Sequence, residues 1–431
     1  MNILTRLIKE DMKPALGVTE PGAIAFAVAS AREHLKGSAE KVEVCLNSGM
    51  FKNGFTCGIP GISQVGNVYA AALGTVAADP KKGLECLDGI TMEQKETAKR
   101  LVESGKIAVN MSEITSRIEI RAKVWGKDSQ TAEVVIRDGH TNIVKITEND
   151  KSVFEKEEKM AEGEEKSQCL IHSYTLAQLY EYVSTVPAEE LEFIKAAFAM
   201  NEELLMEGIH SEKTTFCPYL LAANGGKMIS EDEQKTASLL CNGAIEARVL
   251  GLSRPAMSIT GSGAHGIIAT MPLYGAYRVN GYSEEALLRA TALSYLICMY
   301  IKEYSGKLSA FCGCAIAAGT GMACGLAFLR GGDVSVMEKV INNMASSITG
   351  MICDGGNQGC TMKGIVAVDA AYAAVDMAMK GVYIHHVHGI NGKTPEETMR
   401  NMGLIASPGM EGTEKTIVEI LEGKGAVENQ E

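Results

Sequence analysis

The sequence predicts an α+β fold: a mostly helical domain and a smaller α/β lobe that contains an antiparallel meander. From residue 170 onward, long segments place apolar residues at helical spacing. Residues 107–157 instead alternate apolar and polar residues between Gly, Asp and Asn turns, which is typical of strands. A chain of 431 residues is long enough for two domains, or for one domain with a lobe, and for a sizeable core.

The organisation follows from these patterns and from one charged run. We expect residues 1–36 to form N-terminal helices on the helical domain, residues 37–165 to form the α/β lobe, and residues 166–431 to form the helical domain. The run KEEKMAEGEEK (Lys156–Lys166) is typical of a solvated linker and predicts the main boundary.

The N-terminal region is predicted to form two helices interrupted by PALGVTEP (Pro14–Pro21), and the second helix is expected over Gly22–Leu35. Val42, Val44 and Leu46 alternate with polar residues and predict a half-buried strand. The glycine-rich SGMFKNGFTCGIPGI that follows is predicted to be a loop. Two further helices are expected, over Ala70–Ala78 and Thr91–Ser104.

Everything after about Leu170 is helical in pattern, and eight segments are good helix candidates. They cover Thr175–Ser184, Ala188–Gly208, Glu231–Leu250, Ser283–Tyr304, Leu308–Leu329, Val334–Cys353, Gly364–Met379 and Thr413–Leu421. The uncharged stretch Leu308–Leu329 has the length of a membrane span. Its Gly, Ala, Ser, Thr and Cys content favours a closely packed buried helix instead.

Composition narrows the function classes. The net charge of −12 disfavours nucleic acid and anionic membrane as partners. The N-terminal MNILTRLIKEDMKPALG has no apolar signal region, so we expect a cytoplasmic protein whose 12 cysteines are fillers, ligands or catalysts rather than disulfides. The sequence leaves the oligomeric state open and allows a homodimer.

Three cysteines lie in Gly/Ala-rich, largely uncharged surroundings: Cys312, Cys353 and Cys360. Cys353 and Cys360 flank the turn-forming DGGNQG, which can bring both sulfurs to one inorganic centre. A zinc site would prefer paired C-x-x-C or His spacing, which is absent here. Three thiolates would leave one iron of a [4Fe–4S] cluster open for Lewis-acid chemistry. Cys314 is expected to point away from Cys312 on a shared helix.

Other polar residues have two interpretations each. GSGAHG formally matches GxGxxG, but its helical context argues against a dinucleotide fold. The loop can offer backbone N–H groups to an anion, with His265 as an acid/base or orienting residue, or it is a helix–helix turn. Glu20 is a helix-dipole partner or a catalytic carboxylate. His140 is a turn residue or a site residue, and HHVHG (His385–Gly389) is better explained as a polar loop than as a metal site.

Several of these segments resemble the L-cysteine desulfidase family, which is related to the α-domain of bacterial iron–sulfur L-serine dehydratases. The matching pieces are collinear from residue 14 to residue 364: PALGVTEP, MFKNG, GHTNIV, PAMS…GSG…G…ATMP, KLSAFCG and GMICDGGNQGCTMK. The last of these, with its two cysteines, is the most specific.

The resemblance implies a pyridoxal-phosphate-independent [4Fe–4S] lyase that acts on a small β-substituted L-amino acid. Such an enzyme removes the α-proton, expels the β-group and releases a 2-oxo acid and ammonia, with sulfide when the substrate is L-cysteine. Carried over by motif, the cluster ligands are Cys312, Cys353 and Cys360. The pocket residues are Thr19, Glu20, Lys52, Asn53, His140, Asn142, Ser262 and Gly263.

One position departs from the family pattern. The usual motif at the first turn is ALGCTEP, whereas this chain has Val18 where that cysteine stands. Valine neither transfers a proton nor binds iron, so the resemblance leaves three options: Glu20, Lys52 or His265 serves instead, the substrate differs, or the activity has drifted. The alternative function is a non-catalytic member that acts as an iron–sulfur or ligand-binding sensor.

Overall fold

The computed structural model describes residues 1–156, 170–306 and 308–424. The strands are β1 (Lys13–Leu16), β2 (Lys41–Leu46), β3 (Ile107–Met111), β4 (Glu119–Trp125), β5 (Thr131–Arg137), β6 (Ile143–Glu148), β7 (Lys151–Glu155) and β8 (Pro255–Ser258). The helices of the N-terminal part are α1 (Ile3–Asp11), α2 (Thr19–Arg32), α3 (Ser48–Gly54), α4 (Gly66–Val76) and α5 (Met92–Glu103).

The remaining helices build the larger body of the molecule. They are α6 (Leu176–Thr185), α7 (Lys195–His210), α8 (Phe216–Ala223), α9 (Glu233–Val249), α10 (Gly263–Asn280), α11 (Glu284–Ser305), α12 (Gly319–Leu329), α13 (Val334–Ile348), α14 (Gly359–Ala378), α15 (Pro395–Ala406) and α16 (Glu411–Gly423). The expected α+β fold, mostly helical with a small sheet that contains antiparallel strands, is confirmed.

The six-stranded sheet has the order β3-β2-β4-β5-β6-β7. Strands β4 to β7 form the expected four-stranded antiparallel meander. Strand β3 also lies in the strand-rich region 107–157, but it runs parallel to β2 at the sheet edge and is not part of the meander. Val42, Val44 and Leu46 of β2 are buried in one core with the alanine-rich face of α2, as their alternation predicts.

The helical body relies on small residues for close packing. A Cβ atom on Gly321 of α12 would lie 2.2 Å from the Ser294 carbonyl oxygen of α11. The backbones of the two helices are therefore in direct contact at this glycine. Ala290, Ala292 and Ala323 are fully buried between these helices. The Ala- and Gly-rich composition therefore serves helix packing, because the chain has few aromatic residues to fill larger gaps.

A two-stranded antiparallel sheet brings distant parts of the chain together. In it β1 pairs with β8, with Lys13 opposite Ser258 and Leu16 opposite Pro255. This pairing sets the TEP turn at the start of α2 beside the GSGAHG turn at the start of α10. The N-terminal segment thus completes a site that belongs largely to the helical body.

The stretch Leu308–Leu329 is not one helix, which corrects the prediction. An isolated bridge joins Phe311 to Ile352, a π-helical turn covers Cys314–Ala318, and α12 follows. The Cys312 amide donates to the Met351 carbonyl at 3.0 Å and the Cys353 amide donates to the Ala310 carbonyl at 2.6 Å. These backbone bonds to a neighbouring segment replace the helical ones.

Several other boundaries differ from the expectations, and three of them lie in glycine-rich segments. The predicted loop after β2 contains α3, α13 ends at Ile348 rather than Cys353, and α14 begins at Gly359 rather than Gly364. In each case a glycine-rich stretch is folded by tertiary contacts that local pattern does not reveal. One of these is the 3.0 Å bond from the Gly356 amide to the Asn53 carbonyl.

The two N-terminal helices divide between the two cores. Leu4 and Ile8 of α1 lie in the core of the helical body, whereas α2 is buried against the sheet. The three-region division stays a prediction, and residues 157–166 of the boundary run lie outside the described residues. Among the helices of the described ranges, none is long and apolar enough to cross a membrane.

Candidate active site

A cavity of about 290 Å³ opens where α2, α10 and α11 meet the segments 308–314 and 353–360. Of the residues singled out from the sequence, its lining includes Thr19, Glu20, Asn53, His140, Ser262, His265, Cys353 and Cys360. Val18 lines it too. Residues separated by more than 300 positions therefore share one cavity, which is the arrangement expected of a binding or catalytic site.

Glu20 and Asn53 connect the TEP turn to the cysteine segment. Glu20 lies in the first turn of α2 and is 5% exposed. Its Oε1 accepts a hydrogen bond from Asn53 Nδ2 at 2.9 Å, and Asn53 Oδ1 lies 3.8 Å from Cys353 Sγ. Asn53 thus holds the carboxylate in a fixed position beside the thiol.

His265 is buried on the first turn of α10. Its Nδ1 lies 2.6 Å from Thr260 Oγ1. Burial holds the pKa of His265 well below its usual range, and the charges of Lys302 and Arg248 lower it further. The imidazole is therefore neutral near pH 7.

Thr260, whose side chain contacts His265, has a strained backbone conformation. Its φ of 50° lies in the left-handed region, which is rare for a β-branched residue. The backbone amide of Thr260 donates to Asp11 at the end of α1, and its side chain meets His265. Backbone strain of this kind is retained where the surrounding contacts fix the conformation, and it is common at functional sites.

The three predicted cluster cysteines lie near one another. The thiols of Cys312 and Cys353 both influence the pKa of Cys360, which burial raises to about 12. Cys360 Sγ donates to the Gly355 carbonyl at 3.4 Å. Burial also raises the pKa of Cys353, and the positive charge of Lys52 offsets part of this rise.

Cys314 lies closer to Cys312 than expected. The neighbouring Cys314 thiol is the main cause of the raised pKa of Cys312, followed by burial. Cys312 precedes the helical turn rather than lying within it, so the expectation that the side chains point apart is wrong. Cys314 lines the cavity, which makes it a fourth thiol of the site.

The glycines of DGGNQG allow the cysteine loop to pack directly on the opposite wall. Gly355 has a φ of 117°, and a Cβ atom there would lie 2.5 Å from the Lys52 carbonyl oxygen. A Cβ atom on Gly356 would lie 2.9 Å from Val18 Cγ1. Val18 therefore lies against the loop between the two cysteines.

The donor chemistry at this wall suits a thiolate-bound cluster. Free thiols converge from two bridged segments, and Lys363 and Lys302 lie close enough to act on their charge. In this conformation no group of three or more His, Cys, Asp or Glu side chains among residues 1–156, 170–306 and 308–424 is arranged to hold a metal ion. The residue types fit an iron–sulfur cluster, whereas the side-chain arrangement shows no preformed single-ion site.

Four predicted residues are not in the cavity lining. Lys52 points away into an ion pair with Glu414, and Gly263 packs against Arg248. Asn142 donates to the Arg137 carbonyl within its own turn and accepts from Lys156, which follows β7. Cys312 lies beside the lining residue Cys314.

Sequence reasoning missed several charged residues of the cavity, notably Asp11, Arg248, Lys302 and Glu303. Arg248 and Lys302 are 5% and 6% exposed, and burial lowers the pKa of Lys302. The sequence did carry a signal for Arg248 and Lys302: each is a charge within a long apolar run, GAIEARVLG and SYLICMYIKEYS. A charge that must be buried with its helix needs a partner or a function.

Known proteins are similar in sequence to this chain over nearly its full length. Residues 81–419 match the family described as serine dehydratase alpha chain, so the chain belongs to that family. Its relatives include UPF0597 proteins of Clostridium botulinum strain Langeland and Caldanaerobacter subterraneus subsp. tengcongensis, 40% and 36% identical over 97% of this chain and 98% of each relative. A UPF0597 protein of Bacteroides fragilis is 34% identical over 97% of both chains.

Proposed function

We propose that this protein is a lyase that removes the β-substituent and ammonia from a small L-amino acid. The observation that carries the proposal is the meeting of the cysteine segments, the Glu20 carboxylate and the neutral His265 at one cavity. Membership of the serine dehydratase alpha chain family supports this reaction class. Substrates of the proposed reaction are L-cysteine or a relative such as L-serine.

The cofactor that we propose is a [4Fe–4S] cluster held by Cys312, Cys353 and Cys360. When bound, it would supply an iron without a protein ligand, a Lewis acid for a hydroxyl or thiol group. The cluster of buried thiols, the glycine loop and the nearby lysines support this assignment. Cys314 adds a thiol beside Cys312 that the three-ligand assignment does not use.

The chain's own residues would handle the substrate and the proton. Glu20 and His265 are the candidates for taking up the α-proton, and loss of the β-group gives an enamine that tautomerises and is hydrolysed. L-Serine would yield pyruvate and ammonia, with one water lost and one regained. L-Cysteine and one water would yield pyruvate, ammonia and hydrogen sulfide. We keep Lys52 as a further proposed participant, although its ammonium is committed to Glu414.

Val18 favours a second candidate function, because it occupies the position of the cysteine usual in the L-cysteine desulfidase family. A protein that bound the cluster and the ligand without turnover would act as a sensor. Val18 is 3% exposed and its side chain contacts the loop at Gly356, so a cysteine, which is smaller, fits the same space. Val18→Cys is therefore a direct test for loss of activity by drift.

The experiment is an anaerobic assay of ammonia and 2-oxo acid with L-cysteine and L-serine. The proposal expects both products from at least one substrate, with loss in Cys360→Ser and retention in Cys45→Ser. Cys45 is a matched control because it lies half-buried on β2, outside the cavity lining. A cluster-bearing protein that releases no ammonia, before or after the Val18→Cys change, would favour the sensor.

A further inference from the structure

Arg248 is a buried cation directed at the cavity. It is 5% exposed, lines the cavity, and its Nε has no hydrogen-bond partner among the described residues. It forms no ion pair with any carboxylate in those parts of the chain. Burying an unpaired guanidinium costs several kcal/mol, on the order of the penalty for a desolvated ion, so the position calls for an anionic partner.

The first turn of α10 adds backbone donors at the same place. A Cβ atom on Gly263 would lie 2.7 Å from Arg248 Nε, so the guanidinium packs directly on the helix start. The first helical hydrogen bond comes from the Gly266 amide to the Ser262 carbonyl, which leaves the amides of Gly263 and Ala264 outside the helical pattern. Ser262 provides no side-chain cap and the first turn has no acidic residue, so the positive end of this 18-residue helix is uncompensated.

The opposite charge stands in the same cavity without neutralising Arg248. Glu20 lines the cavity, and no ion pair joins it to Arg248 in the described structure. Both charges act on the Cys57 thiol. Burial is the main cause of its raised pKa, the negative charge of Glu20 raises the pKa further, and the positive charge of Arg248 lowers it. A carboxylate and a guanidinium held apart across a small cavity match the two charges of a zwitterion.

The remaining carboxylates of the cavity have other neighbours. Asp11 accepts the Thr260 amide, and the charge of Glu303 acts on Asp11. The lysine of this wall, Lys302, donates to the Gly306 carbonyl at 2.8 Å. Arg248 and Glu20 are thus the pair of opposite charges best placed to orient a ligand.

We propose that Arg248, with the Ala264 amide, binds the α-carboxylate of an amino acid whose ammonium group faces Glu20. This inference rests on the proposed function for its substrate class and deepens it by assigning the substrate's orientation. Bound in this way, the amino acid would have its α-carbon between Glu20 and His265. A guanidinium presents two parallel donors to a carboxylate, which gives both affinity and direction.

The test is calorimetric binding to the full-length protein of three probes that cannot undergo β-elimination: L-alanine, propionate and ethylamine. We expect L-alanine to bind best. Arg248→Met should weaken L-alanine and propionate by about tenfold to a hundredfold, the range for one lost charge-assisted hydrogen-bond pair. It should leave ethylamine unchanged, and Glu20→Gln should weaken L-alanine but spare propionate.

Arg254→Met is the matched control, because Arg254 lies just beyond the end of α9, in the connection to β8, and is exposed. Arg248→Lys keeps the charge and provides a second variant if the methionine protein does not fold. The inference is overturned if the wild type binds no L-alanine, or if folded Arg248 variants bind propionate and L-alanine as the wild type does. L-Alanine binding in a protein that turns over no amino acid would sink the lyase and leave the carboxylate site standing.

Discussion

Lys52 Nζ lies 2.7 Å from Glu414 Oε2 in an ion pair from which solvent is excluded. Lys52 also donates to the Ser309 carbonyl at 2.9 Å, three positions before Cys312. The pair therefore connects α16 to α3 and to the segment that leads into Cys312. The lysine of MFKNG holds the cavity wall together whether or not it also takes part in chemistry.

Removing one partner of this pair should destabilise the protein strongly. Glu414→Gln is expected to cost about 3–5 kcal/mol, because it leaves a buried ammonium without its counter-charge. The double variant Lys52→Met/Glu414→Leu should recover part of that loss. Urea unfolding measures both, and Lys415→Met, at an exposed residue of the same helix, is the control. Equal stability of Glu414→Gln and wild type would contradict the buried pair.

The buried histidine predicts a pH dependence of stability. Burial keeps the pKa of His265 well below the value of about 6.5 found in unfolded chains. As the pH falls below about 6.5, the unfolded state binds a proton that the folded state does not, so stability is lost in this direction. His265→Asn should flatten the slope of unfolding free energy between about pH 6.5 and pH 5, whereas the exposed His388→Asn should leave it intact. Parallel curves for wild type and His265→Asn would refute the assignment.

Gln358 is predicted to position the cysteine loop. Its Nε2 donates to Glu246 Oε1 at 2.9 Å, and Glu246 also accepts the amides of Thr215 and Cys217 at the start of α8. Glu246→Ala should cost about 3 kcal/mol or more, since it leaves buried amides unpaired. Gln358→Ala should cost about 1 kcal/mol, the value of one hydrogen bond, and should also reduce iron retention after anaerobic reconstitution. Iron content equal to wild type in Gln358→Ala would remove the positioning role.

The glycine of the α10 turn is predicted to be indispensable. A Cβ atom on Gly266 would lie 1.8 Å from the Met257 carbonyl oxygen of β8, which cannot retreat without breaking the β1–β8 pairing. Gly266→Ala is expected to destabilise the fold by about 1–3 kcal/mol through overpacking. Gly412→Ala is the control, because that helical glycine has open space around it and should gain about 0.5–1 kcal/mol. In thermal unfolding, the melting temperature should fall for Gly266→Ala and rise for Gly412→Ala, relative to the wild type.

The sequence was informative where a pattern is local or a motif is specific. Alternation in β2 and in β4 to β7 predicted the sheet, because a sheet with one buried face imposes a period of two on its side chains. Helical periodicity predicted most of the larger body. The family motifs, the GSGAHG loop and the cysteine spacing predicted Glu20, Asn53, His265, Cys353 and Cys360, all of which line one cavity.

What the sequence did not reveal depends on contacts across long separations. The sequence around Lys52 does not indicate its ion pair with Glu414, which lies 362 positions away. The small-residue run from Leu308 looked like one helix because its local pattern continues past Phe311, whereas the bridge to Ile352 decides the outcome. The apolar run around Arg248 indicates a buried charge, but its position at the cavity depends on how α9 packs against the start of α10.

The measurement that tests the central claim most directly is the iron and acid-labile sulfide content of protein purified without oxygen. A three-cysteine [4Fe–4S] site predicts about four irons and four sulfides per chain and a brown colour, as such clusters give. Cys353→Ser should lose most of the iron while Cys45→Ser retains it. A colourless wild-type preparation that takes up no iron on reconstitution, or a Cys353→Ser protein with a full complement of iron, would contradict the account.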